Sequence, residues 1–142
     1  MLVSHRSIVL FALLVLTVSC DARENGLGPG TSNPDRSAPT VVSTLPSNGA
    51  NQVNRLSPIT ITFSEPMLAS SMVLSTFTFS PSIGGTVSYT GNTATFTPSA
   101  PLAAGELYTG TVTTAAEDRA GNNLFAPFSW SFRADPDPVI VP

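Results

Sequence analysis

Residues 58–67 read Pro-Ile-Thr-Ile-Thr-Phe-Ser-Glu-Pro-Met, so Ile59, Ile61 and Phe63 project to one side and Thr60, Thr62 and Ser64 to the other. A two-residue period of this kind belongs to a strand with one buried face. Such a strand is not stable alone, because its apolar side must be covered by a second layer. The same apolar/hydroxyl alternation returns at residues 75–80, 85–90, 93–97, 107–114 and 128–132. The chain is therefore expected to be all-β, a single small sandwich.

The clearest local signal is Gly91-Asn92 between two alternating runs, the pattern of a two-residue hairpin with glycine first. Val87 and Tyr89 precede it, Ala94 and Phe96 follow, and Phe128, Trp130 and Phe132 place three rings on one face of the last strand. Residues 40–46 read as an edge strand stopped by Pro46, and residues 47–54 as a turn-rich loop around Asn48-Gly49. Residues 67–74 have room for one short helical turn but carry no sustained helical period.

Charge narrows the list of partners. Only 11% of the 142 residues are charged, while 42% are hydrophobic, and Ser and Thr fill the polar strand positions. All six basic residues are Arg, and the net charge of -3 argues against nucleic acid or an anionic surface as partner. The only His is His5, in a segment expected to be removed, which excludes imidazole chemistry and His metal sites from the mature chain.

Residues 1–19 have the form of an export signal. Arg6 and His5 precede an apolar run from Ile8 to Val18, broken only by Thr17 and much shorter than the roughly 20 residues of a membrane-spanning helix. The only cysteine, Cys20, follows directly in Leu16-Thr-Val-Ser-Cys20, which resembles the lipobox of bacterial lipoproteins. Ser19 fits the small position, whereas Thr17 stands where an aliphatic residue is usual. The resemblance implies that Cys20 is lipidated on its thiol and becomes the N-terminus. Asp21 behind it resembles the inner-membrane retention signal of enteric bacteria. A lone cysteine forms no intrachain disulfide, and an ordinary secretory signal with an incidental cysteine is the competing reading. Residues 20–38, rich in Gly, Pro, Ser and Asn, then form a flexible tether of about 20–25 Å reach. The domain occupies residues 39–134, and residues 135–142, with three prolines, form a frayed tail.

About seven short antiparallel strands at regular spacing, bounded by Gly/Pro turns, indicate an Ig-like sandwich. The segments Pro39-Thr-Val-Val-Ser-Thr-Leu-Pro-Ser-Asn-Gly49, Ile61-Thr-Phe-Ser-Glu-Pro-Met67, Thr93-Ala-Thr-Phe-Thr-Pro98 and Asp118-Arg-Ala-Gly-Asn122, followed by Trp130-Ser-Phe132, resemble the bacterial Ig-like domain first known from the S-layer protein SbsA. That family usually supplies spacers or binding modules, so the resemblance implies a non-enzymatic role, and no cofactor is expected. The cysteine pair of antibody domains is missing, and Trp130 falls on the last strand.

Each candidate site has a simpler reading beside it. Glu65, Asp118 and Asn122 could meet at one end of the sandwich and bind Ca²⁺, but Glu65 also simply ends a strand and Asp118 closes a turn, and the second reading is preferred. Ser70 and Ser71 have no base to activate them. Glu106 and Glu117 would have to face each other across a cleft to act as a glycosidase pair. Tyr89, Trp130 and Phe132 could form a sugar platform, but their alternation with Ser and Thr assigns them to the core. The expectation is a monomeric, lipid-anchored envelope protein for display, adhesion or scaffolding, with an envelope protein or polysaccharide as partner. An accessory binding subunit of an extracytoplasmic enzyme is the alternative.

Overall fold

The computed structural model describes residues 35–136. In chain order the strands are β1 (Val41–Leu45), β2 (Ala50–Val53), β3 (Ile59–Phe63), β4 (Phe77–Ser80), β5 (Gly85–Thr90), β6 (Thr93–Pro98), β7 (Leu107–Val112) and β8 (Phe128–Ala134). They form two four-stranded sheets, β1-β3-β6-β5 and β2-β8-β7-β4. A 3-10 turn at Ala69–Ser71 is the short helical turn expected before β4.

β3 alternates as its sequence dictates: Ile59, Ile61 and Phe63 are buried, and the two threonines between them are half-buried. Hydroxyl-bearing residues face out on its neighbours while Ala94 and Phe96 of β6 face in. The hairpin forms at Gly91-Asn92, with Thr90 paired to Thr93. Gly91 has φ +62° and Asn92 a negative φ, the combination a glycine-first hairpin turn requires.

The two-sheet, all-β sandwich is the one expected, with eight strands where about seven antiparallel ones were foreseen and with one parallel pairing. Residues 47–54 contain β2, which runs parallel to β8 through Ala50–Phe132 and Val53–Ala134. No alternation marks this strand, because backbone and amide contacts hold it. The Asn48 side-chain oxygen accepts from the Ser131 amide, and the Gly49 amide donates to the Ser131 carbonyl. The presumed tail is also pinned at its start, since the Asp135 amide donates to Val53 O and its carbonyl accepts from Gly105 N.

Between the sheets lies an aromatic seam. Phe79 of β4 touches Phe96 at a centroid distance of 4.7 Å and Trp130 edge-on at 6.2 Å. Phe79, Gly110 and Trp130 are paired in one cross-strand row, and a Cβ on Gly110 would lie 2.6 Å from the Trp130 ring. The glycine therefore makes space for the indole to lie flat against β7. The indole N–H is buried with no acceptor among the described residues, so Trp130 contributes by packing alone. Tyr108 stacks on Phe132, and its hydroxyl accepts from the Ala103 amide, fastening the β6–β7 loop.

The pairings also place the two ends of the domain. The segment before β1 lies beside the end of β3, through Val41–Phe63 and the Ser64 amide on Thr40 O. Asp135 leaves at the opposite end, beyond Val53 and Ala134.

Gly110→Ala should lower unfolding stability by about 1–3 kcal/mol in urea titration, because the methyl must displace a buried ring. Gly91→Ala meets nothing within 4 Å. It should cost only the left-handed backbone penalty, about 1–2 kcal/mol. Trp130 near-ultraviolet dichroism separates them, changing in the first variant and not in the second.

Candidate functional site

The end of the sandwich where β3 finishes gathers the groups with unusual environments. After Phe63 the chain runs through Ser64-Glu65-Pro66, and Met67 bridges to Asp118 on the loop between β7 and β8. The Leu68 amide donates to Glu117 O and the Arg119 amide to Pro66 O, fastening the two loops together. Asp118 is only 1% exposed. A buried carboxylate needs donors around it. Its Oδ1 accepts from the Ala120 amide at 2.7 Å and the Asn122 amide at 2.9 Å, and its Oδ2 accepts from Asn122 Nδ2 at 2.8 Å. Gly121, with φ +92°, lets the chain close this turn.

Asp118 and Asn122 thus meet as expected, with Glu65 nearby and a fourth residue the sequence assigns to the tether. Asp35 O accepts from Asn122 Nδ2 at 3.2 Å, so the chain joins the domain from Asp35 onward rather than from Pro39. Carboxylate oxygens of Asp35, Glu65 and Asp118 all lie within 4.8 Å of one another. No local pattern could reveal Asp35, because the contact spans 87 residues.

The carboxyls respond oppositely. Burial pushes Asp118 up, but hydrogen bonds from the Asn122 side chain and amide, Ala120 and Gly121 outweigh it, leaving the carboxyl below its ordinary range. Glu65 is raised, first by burial and then by the charges of Asp35 and Asp118 and a hydrogen bond shared with Asp35. Ca²⁺ takes about 6–8 oxygens. Three carboxylates are present, yet Asn122 turns its NH₂ group toward Asp118, and both Asp118 oxygens already accept bonds that close the turn. The geometry fits turn closure better than a calcium cage.

The other candidates separate. Ser71 Oγ sits between Leu68 O and Glu117 O and accepts from the Glu117 amide, a structural clamp. Glu106 lies at the start of β7, beside Ala134, and Glu117 beyond its far end, so they do not form a pair. Trp130 and Phe132 are core residues, and the Tyr89 hydroxyl accepts from the Met67 amide at 2.6 Å, so these three rings form no exposed platform. Cys20 lies outside the described residues.

A family model described as bacterial Ig-like domain matches residues 35–134, starting at the residue that Asn122 holds. The chain belongs to the bacterial Ig-like domain family. Members of this family are typically non-catalytic. Domains 1–6 of the surface layer protein SbsC superpose with a TM-score of 0.55 at 19% identity, over 72% of this chain and 14% of that one. The L,D-transpeptidase LdtMt1 gives 0.51 at 18% identity over 70% and 41%. PcoC, a methionine-rich copper resistance protein from Escherichia coli, gives 0.53 at 12% identity over 70% of this chain and all of that one. These likenesses establish a shared fold, and the chain spans only a small part of the S-layer protein. No curated protein sequence matches it. Among the described residues, no helix is long and apolar enough to cross a membrane.

Two substitutions test the electrostatics. The lowered Asp118 carboxyl contributes stability above the ordinary aspartate range, and that stability is lost as pH falls through its folded value. The raised Glu65 carboxyl has the opposite sign: its contribution is complete below the ordinary glutamate value and is lost as pH rises through the folded one. Asp118→Asn should therefore cost about 1–3 kcal/mol at pH 7 and less in acid. Glu65→Gln should stabilise the domain at pH 7, by up to about 1 kcal/mol, and be neutral at pH 3. Urea midpoints at the two pH values check both. Dialysis against EDTA should leave the melting temperature unchanged, and a rise with millimolar Ca²⁺ would restore the calcium reading.

Proposed function

We propose that this chain is a non-enzymatic envelope lipoprotein, held by lipid on Cys20 to the extracytoplasmic face of a bacterial membrane. It presents one Ig-like domain for adhesion, display or scaffolding. The observation that carries this reading is the position of Cys20, the only cysteine, directly after an apolar run too short to span a bilayer. The placement of the domain's first residues is compatible with it. They join at the Glu65–Asp118 end of the sandwich, opposite the β1–β2 crossover and the loop before β7.

The fold supports a role in binding or presentation. His-dependent chemistry has no residue to use beyond His5, and Ser70, Ser71, Glu106 and Glu117 are not assembled into a catalytic group. The accessory-subunit reading draws on one finding, that the same fold makes up part of an L,D-transpeptidase chain. Recovery of a hydrolase or transpeptidase with the purified chain would favour it.

Intact mass of the protein extracted from native membranes should show a chain beginning at Cys20 with diacylglycerol and acyl mass. Cys20→Ser should move the protein to the soluble fraction. An unmodified N-terminus beyond Cys20 would overturn the anchor.

A further inference from the structure

Both ends of the sandwich expose aliphatic side chains, but among the described residues only one exposes an aromatic ring. At the end where β3 finishes, residues 64–76 are fastened to residues 113–127, because the Leu68 amide donates to Glu117 O and the Leu124 amide to Ala116 O. Phe125 stands out from this surface at 93% exposure, and Leu68 and Val73 are exposed on the other loop. The opposite end exposes Leu45, Leu56 and Leu107, so aliphatic exposure alone does not distinguish the two. Single exposed leucines and valines are ordinary, whereas a phenyl ring left almost wholly in water calls for a partner. Two exposed arginines share this end. The Arg119 amide donates to Pro66 O, and Arg36 follows Asp35, whose carbonyl Asn122 holds. The charge there is mixed, since Asp35 is exposed, Glu65 and Glu117 are half-buried, and Asp118 is buried in its own turn.

We infer that this end rests on the phospholipid bilayer that holds Cys20, with Phe125 and Leu68 entering the headgroup layer. The inference rests on the reading of the chain as a lipoprotein anchored at Cys20, and it names the surface that the anchor turns to the membrane. What selects the bilayer as partner is where the chain enters the domain. Asp35 is held at this end by Asn122, and only residues 21–34 separate it from Cys20. Even fully extended, a segment of that length spans no more than about 50 Å. A lipid on Cys20 therefore makes contact between this end and the bilayer intramolecular, so a patch too weak to hold a free protein is sufficient. The chemistry fits the interface. Phenylalanine and leucine are side chains that settle at the boundary of headgroups and acyl chains. A guanidinium beside them can pair with a lipid phosphate in two parallel hydrogen bonds. Because Asp35, Glu65 and Glu117 offset the two arginines, attraction to anionic lipid is not the driving force, and insertion of apolar side chains is.

The lipidated full chain carrying Phe125→Trp, reconstituted in phosphatidylcholine vesicles, tests this. The exchange of one exposed ring for another leaves the core untouched. Its added emission should be quenched by brominated phosphatidylcholine about threefold or more beyond that of Leu107→Trp, which puts the same reporter at the start of β7 on the opposite end. Buried Trp130, the only tryptophan of the parent chain, should not be quenched and sets the background. Leu68→Trp is an independent second reporter and should behave as Phe125→Trp does. Quenching should be the same in low and high salt. Equal quenching at the two ends, stronger quenching at Leu107→Trp, none at either end, or loss of quenching in high salt would overturn the inference. The intact mass decides the anchor separately. A chain without lipid on Cys20 loses the anchor and this contact together, whereas a lipidated chain whose Phe125→Trp stays in water keeps the anchor and loses this contact alone.

Discussion

Everything in this domain depends on two sheets staying pressed together without a covalent tie. The only cysteine lies outside the domain, so no intrachain disulfide can hold it. Phe79 does the joining, because its ring reaches Phe96 on the facing sheet and Trp130 on its own. Burial of a large side chain contributes about 1.5–3 kcal/mol, so a few rings supply a stabilisation comparable to the whole margin of a small domain. That contribution depends on Gly110, whose missing side chain is where the indole rests. A core held by shape rather than by a bond tolerates little change in volume at the seam.

From this seam the arrangement of the ends follows. β3 delivers Glu65 to the rim, the loop after β7 brings Asp118 beneath it, and the bonds from Asn122 and Ala120 keep that charge buried. A raised and a lowered carboxyl in adjacent positions would suggest acid–base chemistry in a cleft. Here the buried carboxylate is consumed in closing its own loop. The perturbation reports construction.

What could be read from sequence alone was what repeats. β3, the Gly91-Asn92 hairpin and the aromatic face of β8 were legible because alternation, a special turn glycine and ring spacing are local. β2 was not, because Asn51 and Gln52 show no alternation and Gln52 has φ +55°, so the strand exists only through the bonds of residues 48–53 to β8 and Asp135. Asp35 was hidden for a related reason: its partner is Asn122, and a Pro- and Gly-rich lead-in carries no sign of a long-range contact. Site residues showed the same division, with the motif residues Glu65, Asp118 and Asn122 foreseen together and the residue that completes their cluster missed.

The attachment of the chain at opposite ends of the sandwich gives the domain a mechanical axis. A pull applied between Asp35 and Asp135 runs along the strands. It loads the β1–β3 and β2–β8 ladders in shear, so several hydrogen bonds must fail together instead of unzipping one at a time. The short and irregular β2 is the weaker of these two ladders, held by two register pairs and the Asp135 bond to Val53. Its loss alone frees no length, because β1 stays paired with β3 and β8 with β7, so the chain lengthens only when one of those longer ladders fails.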